Sequence, residues 1–317
     1  MKCLICNRET HTETIPLCAD CIRTNPETAD KISRTLHKSV SGDRKCSLCE
    51  NFCNFSVTGL CGLDRSLISP NRAMMTYYED PLPTNCCNAW FCRGSSLRGT
   101  NLAVFYYGCN FDCLYCQNWE HKKAGRIISL DVAVEYAMKD RIKCICHFGG
   151  SPEPQLQFAI RFSRKVLKER DIMICWEWNG GGREKFVKEA VKISSESKGT
   201  VKFDLKAWND NLYKILTGRS NKPTLKNFKL AYDIDPEVVS ATTLLVPYYV
   251  DEKEVEGIAS FIAEVDEDIP YSLLVFHPDY RLRDLPVTPR EQVVRCYNAA
   301  RRYLKNVNIG NLSLLGF

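Results

Sequence analysis

Three cysteines, Cys109, Cys113 and Cys116, stand at C-x3-C-x2-C spacing with Tyr115 immediately before the third, and this loop constrains the chain more than anything else in it. Iron–sulfur clusters are held by cysteine thiolates, normally four to a cubane. A short loop that offers three leaves one iron without a protein ligand. An open coordination position separates a reactive metal from a structural one, as open and closed zinc sites also show. Zinc binding and unligated core thiols are the bland alternatives, and the compact spacing disfavours both. The loop predicts a redox enzyme.

The chain has 317 residues, enough for one large domain or two smaller ones and for a sizeable core. A hydrophobic fraction of 44% beside 26% charged residues fits a soluble globular protein. The net charge of +5 is compatible with an acidic protein partner or a nucleic acid and requires neither. No uncharged apolar run approaches the ~18 residues of a membrane span.

Eighteen cysteines are the anomaly: eleven precede residue 93, three form the loop and four are scattered. Met1 and Lys2 run straight into Cys3, with no signal-peptide core before it. Clustered CxxC pairs without a secretion signal read as metal ligands rather than disulfides. The expectation is a reducing cytoplasm and, from the thiol load, an anaerobic host.

Three regions follow from the pattern. Residues 1–45 carry Cys3-x2-Cys6 and Cys18-x2-Cys21, eleven residues apart, the spacing of a zinc-ribbon hairpin, followed by a helix or linker. So short a module cannot bury enough apolar surface alone, and metal would supply its folding energy. Zinc is the first reading; rubredoxin-like iron is the second. Residues 46–98 hold Cys46, Cys49, Cys53 and Cys61, enough for a second metal site, and then Cys86, Cys87 and Cys92 in a stretch broken by Pro81 and Pro83. Zinc, an auxiliary iron–sulfur cluster or both would suit these seven; buried packing of two or three is the alternative.

From residue 99 to 317, short apolar runs alternate with amphipathic segments. Strands are expected at 102–107, 142–148, 172–176, 201–205, 239–246, 271–276 and 306–309. Helices are expected at 131–139, 156–169, 184–194, 224–232, 252–263 and 290–304. Such alternation implies an α/β fold with a parallel sheet, curled by right-handed crossovers into a partial or complete TIM-type barrel. Active sites in barrels lie at the C-terminal strand ends. There the sequence puts the cysteine loop, Gly149-Gly150-Ser151-Pro152-Glu153, Glu177-Trp178-Asn179, Asp204-Leu205-Lys206 and His277. Singly, these are ordinary turn residues. In register around one barrel mouth they predict a site. His121, Lys122 and Lys123 read as a solvated face, and Cys144, Cys146, Cys175 and Cys296 as packing.

These motifs resemble the radical S-adenosylmethionine superfamily. Within it, Asp204-Leu205-Lys206, Leu216-Thr217-Gly218-Arg219-Ser220-Asn221, Val246-Pro247-Tyr248-Tyr249 and Phe276-His277-Pro278-Asp279-Tyr280 are similar to the activating enzymes of pyruvate formate-lyase. The closest layout is that of longer archaeal and bacterial activase-like proteins, whose upstream cysteine-rich segment ends in Cys-Gly, here Cys61-Gly62. The resemblance covers residues 46–317.

The resemblance implies a [4Fe–4S] cluster on Cys109, Cys113 and Cys116 and S-adenosylmethionine on the open iron. Gly149, Gly150, Ser151 and Glu153 would hold its methionyl amine, although the family's Gly-Gly-Glu is Gly-Gly-Ser here. Tyr115 would lie against adenine, and Glu177 and Asn179 would bind ribose. Asp204, Lys206 and His277 would contact substrate or cofactor. The implied reaction is reductive cleavage to a 5′-deoxyadenosyl radical, which abstracts hydrogen from a protein or peptide. Ferredoxin or flavodoxin would supply the electron. The rival readings are modification of a small molecule or RNA, and a binding protein with no turnover.

Overall fold

The structure is a computed structural model and describes residues 1–82, 86–123 and 125–316. The first two helices, α1 (Ala19–Thr24) and α2 (Pro26–Leu36), precede a short antiparallel hairpin, β1 (Arg44–Lys45) with β2 (Asn54–Phe55). Pro26 opens α2, where a missing N–H costs nothing. Then come β3 (Arg72–Pro81), β4 (Thr100–Tyr106), β5 (Ile127–Ser129), α3 (Leu130–Ala137), β6 (Ile142–Gly149) and α4 (Leu156–Leu167). The alternation continues with β7 (Met173–Trp178), α5 (Glu184–Ser197), β8 (Val201–Asp204), α6 (Asp210–Thr217) and α7 (Lys222–Ile234). It closes with β9 (Val239–Leu245), α8 (Glu252–Val265), β10 (Tyr271–Val275), α9 (Arg290–Arg301) and β11 (Val307–Gly310).

One nine-stranded sheet carries the fold, in the order β11-β10-β9-β8-β7-β6-β4-β3-β5. Seven of these strands run parallel; β3 pairs antiparallel with β4, and β5 with β3. The parallel strands are apolar on both faces because helices cover one and the curled interior the other, so β7 reads Met-Ile-Cys-Trp without alternation. Helices supply period-3.6 stripes, such as Val187, Ala190, Val191 and Ser194 on α5. The sheet curls, and among the described residues no ladder joins β5 to β11. Its curvature is plain from one cavity that receives residues of β6, β7, β8, β9 and β10.

All seven expected strands form, with ends shifted by a residue or two. Glu177 and Trp178, expected just beyond a strand, instead finish β7. Strands β3 and β5 and helix α6 were not foreseen. Pro81 ends β3, as an edge-tolerated residue; Pro83 lies outside the described residues.

The N-terminal region lies against the barrel. Arg23 pairs with Asp251 (2.7 Å) and the buried Glu254 (2.8 Å), while Asp284 accepts from Thr12 Oγ1 and the Glu13 amide. Helix α2 runs along α6, with Ser33 Oγ donating to the Lys214 carbonyl at 2.9 Å. Among the described residues no helix is long and apolar enough to cross a membrane.

Candidate active site

Strand β4 delivers the chain to Gly108 and Cys109. Gly108 has φ +79°, and a Cβ there would come within 2.6 Å of Leu63 Cγ, so the turn into the loop requires glycine. The loop's own amides are held from outside: Asp112 N donates to the Thr217 carbonyl and Leu114 N to the Leu216 carbonyl, both at 2.9 Å. These are the orphan carbonyls at the C-terminus of α6. The Leu216-Thr217-Gly218 motif is thus a brace for the cysteine loop. Cys109 N faces the Cys61 carbonyl at 3.4 Å, which ties the upstream segment to the same loop.

Cys109, Cys113 and Cys116 open on one cavity of about 210 Å³. The cavity also takes Tyr115, Gly149, Gly150, Ser151, Glu177, Asn179, Asp204 and Lys206, so most residues chosen from sequence converge there. Burial pushes all three thiols above their ordinary range, Cys116 to about 12, so a metal must displace protons to bind. The Phe111 amide (3.3 Å) and Asn179 Nδ2 (3.8 Å) face Cys109 Sγ as donors suited to a thiolate. Among the described residues only the N-terminal quartet gathers its sulfurs within the 4.8 Å that a single ion needs.

The glycine pair is dictated by space. Gly149 has φ +110°, and a Cβ would come within 2.6 Å of Tyr106 N; one on Gly150 would meet the Gly108 carbonyl at 2.4 Å. Asn179 Nδ2 donates to Ser151 Oγ (2.9 Å) and Asn110 Oδ1 (2.7 Å), which locks β7's end to both loops. Glu153 does not reach the cavity. It is buried behind Ser151, whose hydroxyl donates to Glu153 Oε2, and burial pushes its carboxyl up to about 7.

Charges at the strand ends form a chain of pairs. Lys202 bridges Glu177 (2.9 Å) and Asp204 (3.3 Å), and Lys206 meets Asp204 at 3.1 Å. Burial opposes each charge, but the partners win: both carboxylates are held below, and both lysines above, their ordinary values. Tyr115 Oη and His121 Nδ1, both at the cavity, are buried without a protein partner. Such atoms normally find one, so they are available to a bound molecule.

His277 is exposed and does not line the cavity. His121, read as solvated, is buried and lines it; burial lowers its imidazole to about 4. Lys122, read with it, is half-buried and pairs with Asp112. Asn110, Asp112, His121 and Lys202 carried no periodic or motif signal, and only the fold brings them in.

Two further thiol groups flank the site. Cys3, Cys6, Cys18 and Cys21 fit one tetrahedral ion. Arg8 donates to Cys6 Sγ at 3.4 Å and lowers that thiol to about 6. Cys49, Cys53 and Cys61 are buried and Cys46 half-buried behind the β1–β2 hairpin, where Arg65 Nη2 reaches Cys61 Sγ at 3.4 Å.

Comparison with known sequences agrees with this geometry. The profile of the Radical SAM superfamily matches residues 103–262. An uncharacterised Methanocaldococcus jannaschii protein, MJ0808, is 29% identical over 65% of this chain, and the match spans 62% of that relative, less than two thirds of its length. A second protein of that organism, MJ1227, provisionally named a glycyl-radical enzyme activating enzyme, is 26% identical over 68% of this chain and 91% of its own. The pyruvate formate-lyase 1-activating enzyme of Escherichia coli is 26% identical over 56% of this chain and 75% of its own.

Proposed function

This chain belongs to the radical S-adenosylmethionine superfamily, and from that membership we propose that it generates a 5′-deoxyadenosyl radical that takes hydrogen from a protein substrate, a glycyl-radical enzyme. One observation carries the proposal: three thiols with no fourth cysteine among them share a cavity with a sterically obligatory Gly-Gly pair and Asn179. When bound, a [4Fe–4S] cluster supplies the electron that cleaves the sulfonium bond. Cys109, Cys113 and Cys116 would hold that cluster.

The protein's own work is position and exclusion. Gly149 and Gly150 let the backbone approach the methionyl amine, with Ser151 beside them. Glu153, set behind Ser151, would act through that hydroxyl rather than by direct contact. Tyr115 would offer its ring to adenine, and Asn179 and Glu177 their polar atoms to ribose. Lys206, beside Cys113 and Tyr115, would favour the cofactor carboxylate. Asp204 orients Lys206 through its 3.1 Å contact. His277, exposed outside the cavity, would meet the substrate rather than the cofactor.

The activase names of the relatives support a protein substrate, and the open sheet gives an extended backbone room to enter. The electron would come from ferredoxin or flavodoxin. We assign zinc to Cys3, Cys6, Cys18 and Cys21, and a second metal to Cys46, Cys49, Cys53 and Cys61.

The test is anaerobic reconstitution with iron and sulfide, then dithionite and S-adenosylmethionine. 5′-Deoxyadenosine should form, and Cys113→Ala should reduce it to background. Adding a glycyl-radical enzyme as substrate should give the doublet of a glycyl radical in electron paramagnetic resonance. Nucleoside formation without that doublet would retain the cleavage and refute the substrate.

A further inference from the structure

A second cavity of about 210 Å³ adjoins the active site and is bordered by Cys144, Cys146 and Cys175, which the sequence offers as packing, and by Cys86 and Cys92 of the upstream cysteine-rich segment. Strand β6 turns Cys144 and Cys146 to one face, and β7 sets Cys175 directly across from Cys146 in the parallel register. Cys92, from the segment before β4, closes the same space. Glu177 and Phe148 line both cavities, so this one lies just across a side chain from the site that takes S-adenosylmethionine. Cys86 stands at the divide, donating to Glu177 Oε1 at 3.0 Å.

Packing alone accounts poorly for this arrangement. A cysteine that serves as a small apolar side chain should be surrounded by others, and well-packed interiors leave few voids larger than a water. Here Cys92, Cys144, Cys146 and Cys175, four of the five cysteines at this cavity, border a space, and Asp80, Asn101 and Glu177 share the wall with them. Disulfide storage is not the use either, since none of the four is bonded to another. A single zinc ion does not suit them: among the described residues they do not gather as a set as closely as the N-terminal quartet does. Soft thiolates at wider spacing select iron–sulfur clusters.

We propose that Cys92, Cys144, Cys146 and Cys175 hold an auxiliary iron–sulfur cluster inside the barrel, beside the radical-generating site. The site is independent of the catalytic loop, and its test need not involve turnover. The reference protein is the full chain with Cys109→Ala, Cys113→Ala and Cys116→Ala, reconstituted anaerobically with iron and sulfide. Adding Cys144→Ser, Cys146→Ser and Cys175→Ser should remove about two to four irons per chain, with matching sulfide. Adding Cys296→Ser, a buried thiol on α9, should remove none. Unchanged iron in the sextuple variant would overturn the proposal.

A measurement on the unaltered protein guards against a folding defect. Iodoacetamide labelling, read by peptide mass spectrometry, should rise at least fivefold at Cys144 and Cys175 once chelator has stripped the iron. Equal labelling before and after stripping would likewise overturn it.

Discussion

His147 shows how a residue in the barrel wall can set the pH range of the whole protein. It is fully buried on β6, stacked on Trp176 at 4.3 Å between ring centroids. Ser163 donates to the Ala159 carbonyl and so accepts from His147 Nε2 at 2.8 Å, while Tyr106 Oη faces Nδ1 at 3.0 Å. Both ring nitrogens are satisfied by a neutral imidazole, and burial lowers its pKa to about 3. The unfolded chain takes a proton near pH 6.5 that the native state refuses, so stability is fully present above that value and falls as the solution is acidified. Between pH 7 and pH 5 this one group should remove about 2 kcal/mol of unfolding free energy. Urea titrations at the two pH values check it: His147→Gln should show a drop smaller by that amount, and an equal drop would refute the assignment. Lys206 makes a second test at this scale. Lys206→Ala should weaken S-adenosylmethionine binding about tenfold in calorimetry, the equivalent of one charge-assisted hydrogen bond. The cysteine trio was legible because its spacing is covalent. His121 was not, because five residues beyond Cys116 nothing local distinguishes a buried imidazole from an exposed one.

Elements were legible in proportion to their periodicity. The seven parallel strands stood out as unbroken apolar runs between helical stripes. Strand β3 escaped because only Ala73 and Met75 are fully buried along its ten residues, leaving no clean alternation to read. Helix α6 escaped because its eight residues are too few for a convincing stripe, yet it has the largest local consequence for the site. Asn209 caps its start through Asn211 N and Leu212 N, and Gly218 ends it at φ +75°. The carbonyls just before Gly218 hold the cysteine loop, so the cap and the cluster site share one turn of backbone. A Cβ at Gly218 would lie 2.8 Å from His37 Cγ in a conformation that side chains avoid. Gly218→Ala should cost about 1–2 kcal/mol in urea unfolding. It should also lower iron retention after desalting, because Asp112 and Leu114 lose their acceptors. Retention at the level of the unaltered protein would show that the loop is held by its metal alone.

Across the whole molecule, the N-terminal quartet and the catalytic loop are mechanically continuous. Four thiols at CxxC spacing announced a metal hairpin, but only three-dimensional structure tells where it docks. It docks on the barrel itself. From the hairpin, α1 sends Arg23 into Asp251 and Glu254, and α2 lies on α6. At its end, His37 donates to the Ile215 carbonyl at 2.9 Å through one ring nitrogen and meets Asp112 at 3.3 Å through the other. Asp112 stands between Cys109 and Cys113, and with His37 on one side and Lys122 on the other its carboxyl is held below the usual range against the pull of burial. A module with so little core of its own would depend on a bound ion to keep this chain of contacts in place. Cys18→Ser should therefore release about one zinc per chain. It should also raise amide hydrogen exchange over residues 1–36 and, through His37, over residues 109–116. Faster exchange confined to the hairpin would separate the two metal sites mechanically. Faster exchange that reaches the loop, with a slower rate of 5′-deoxyadenosine formation, would make the N-terminal ion a structural support of the radical chemistry.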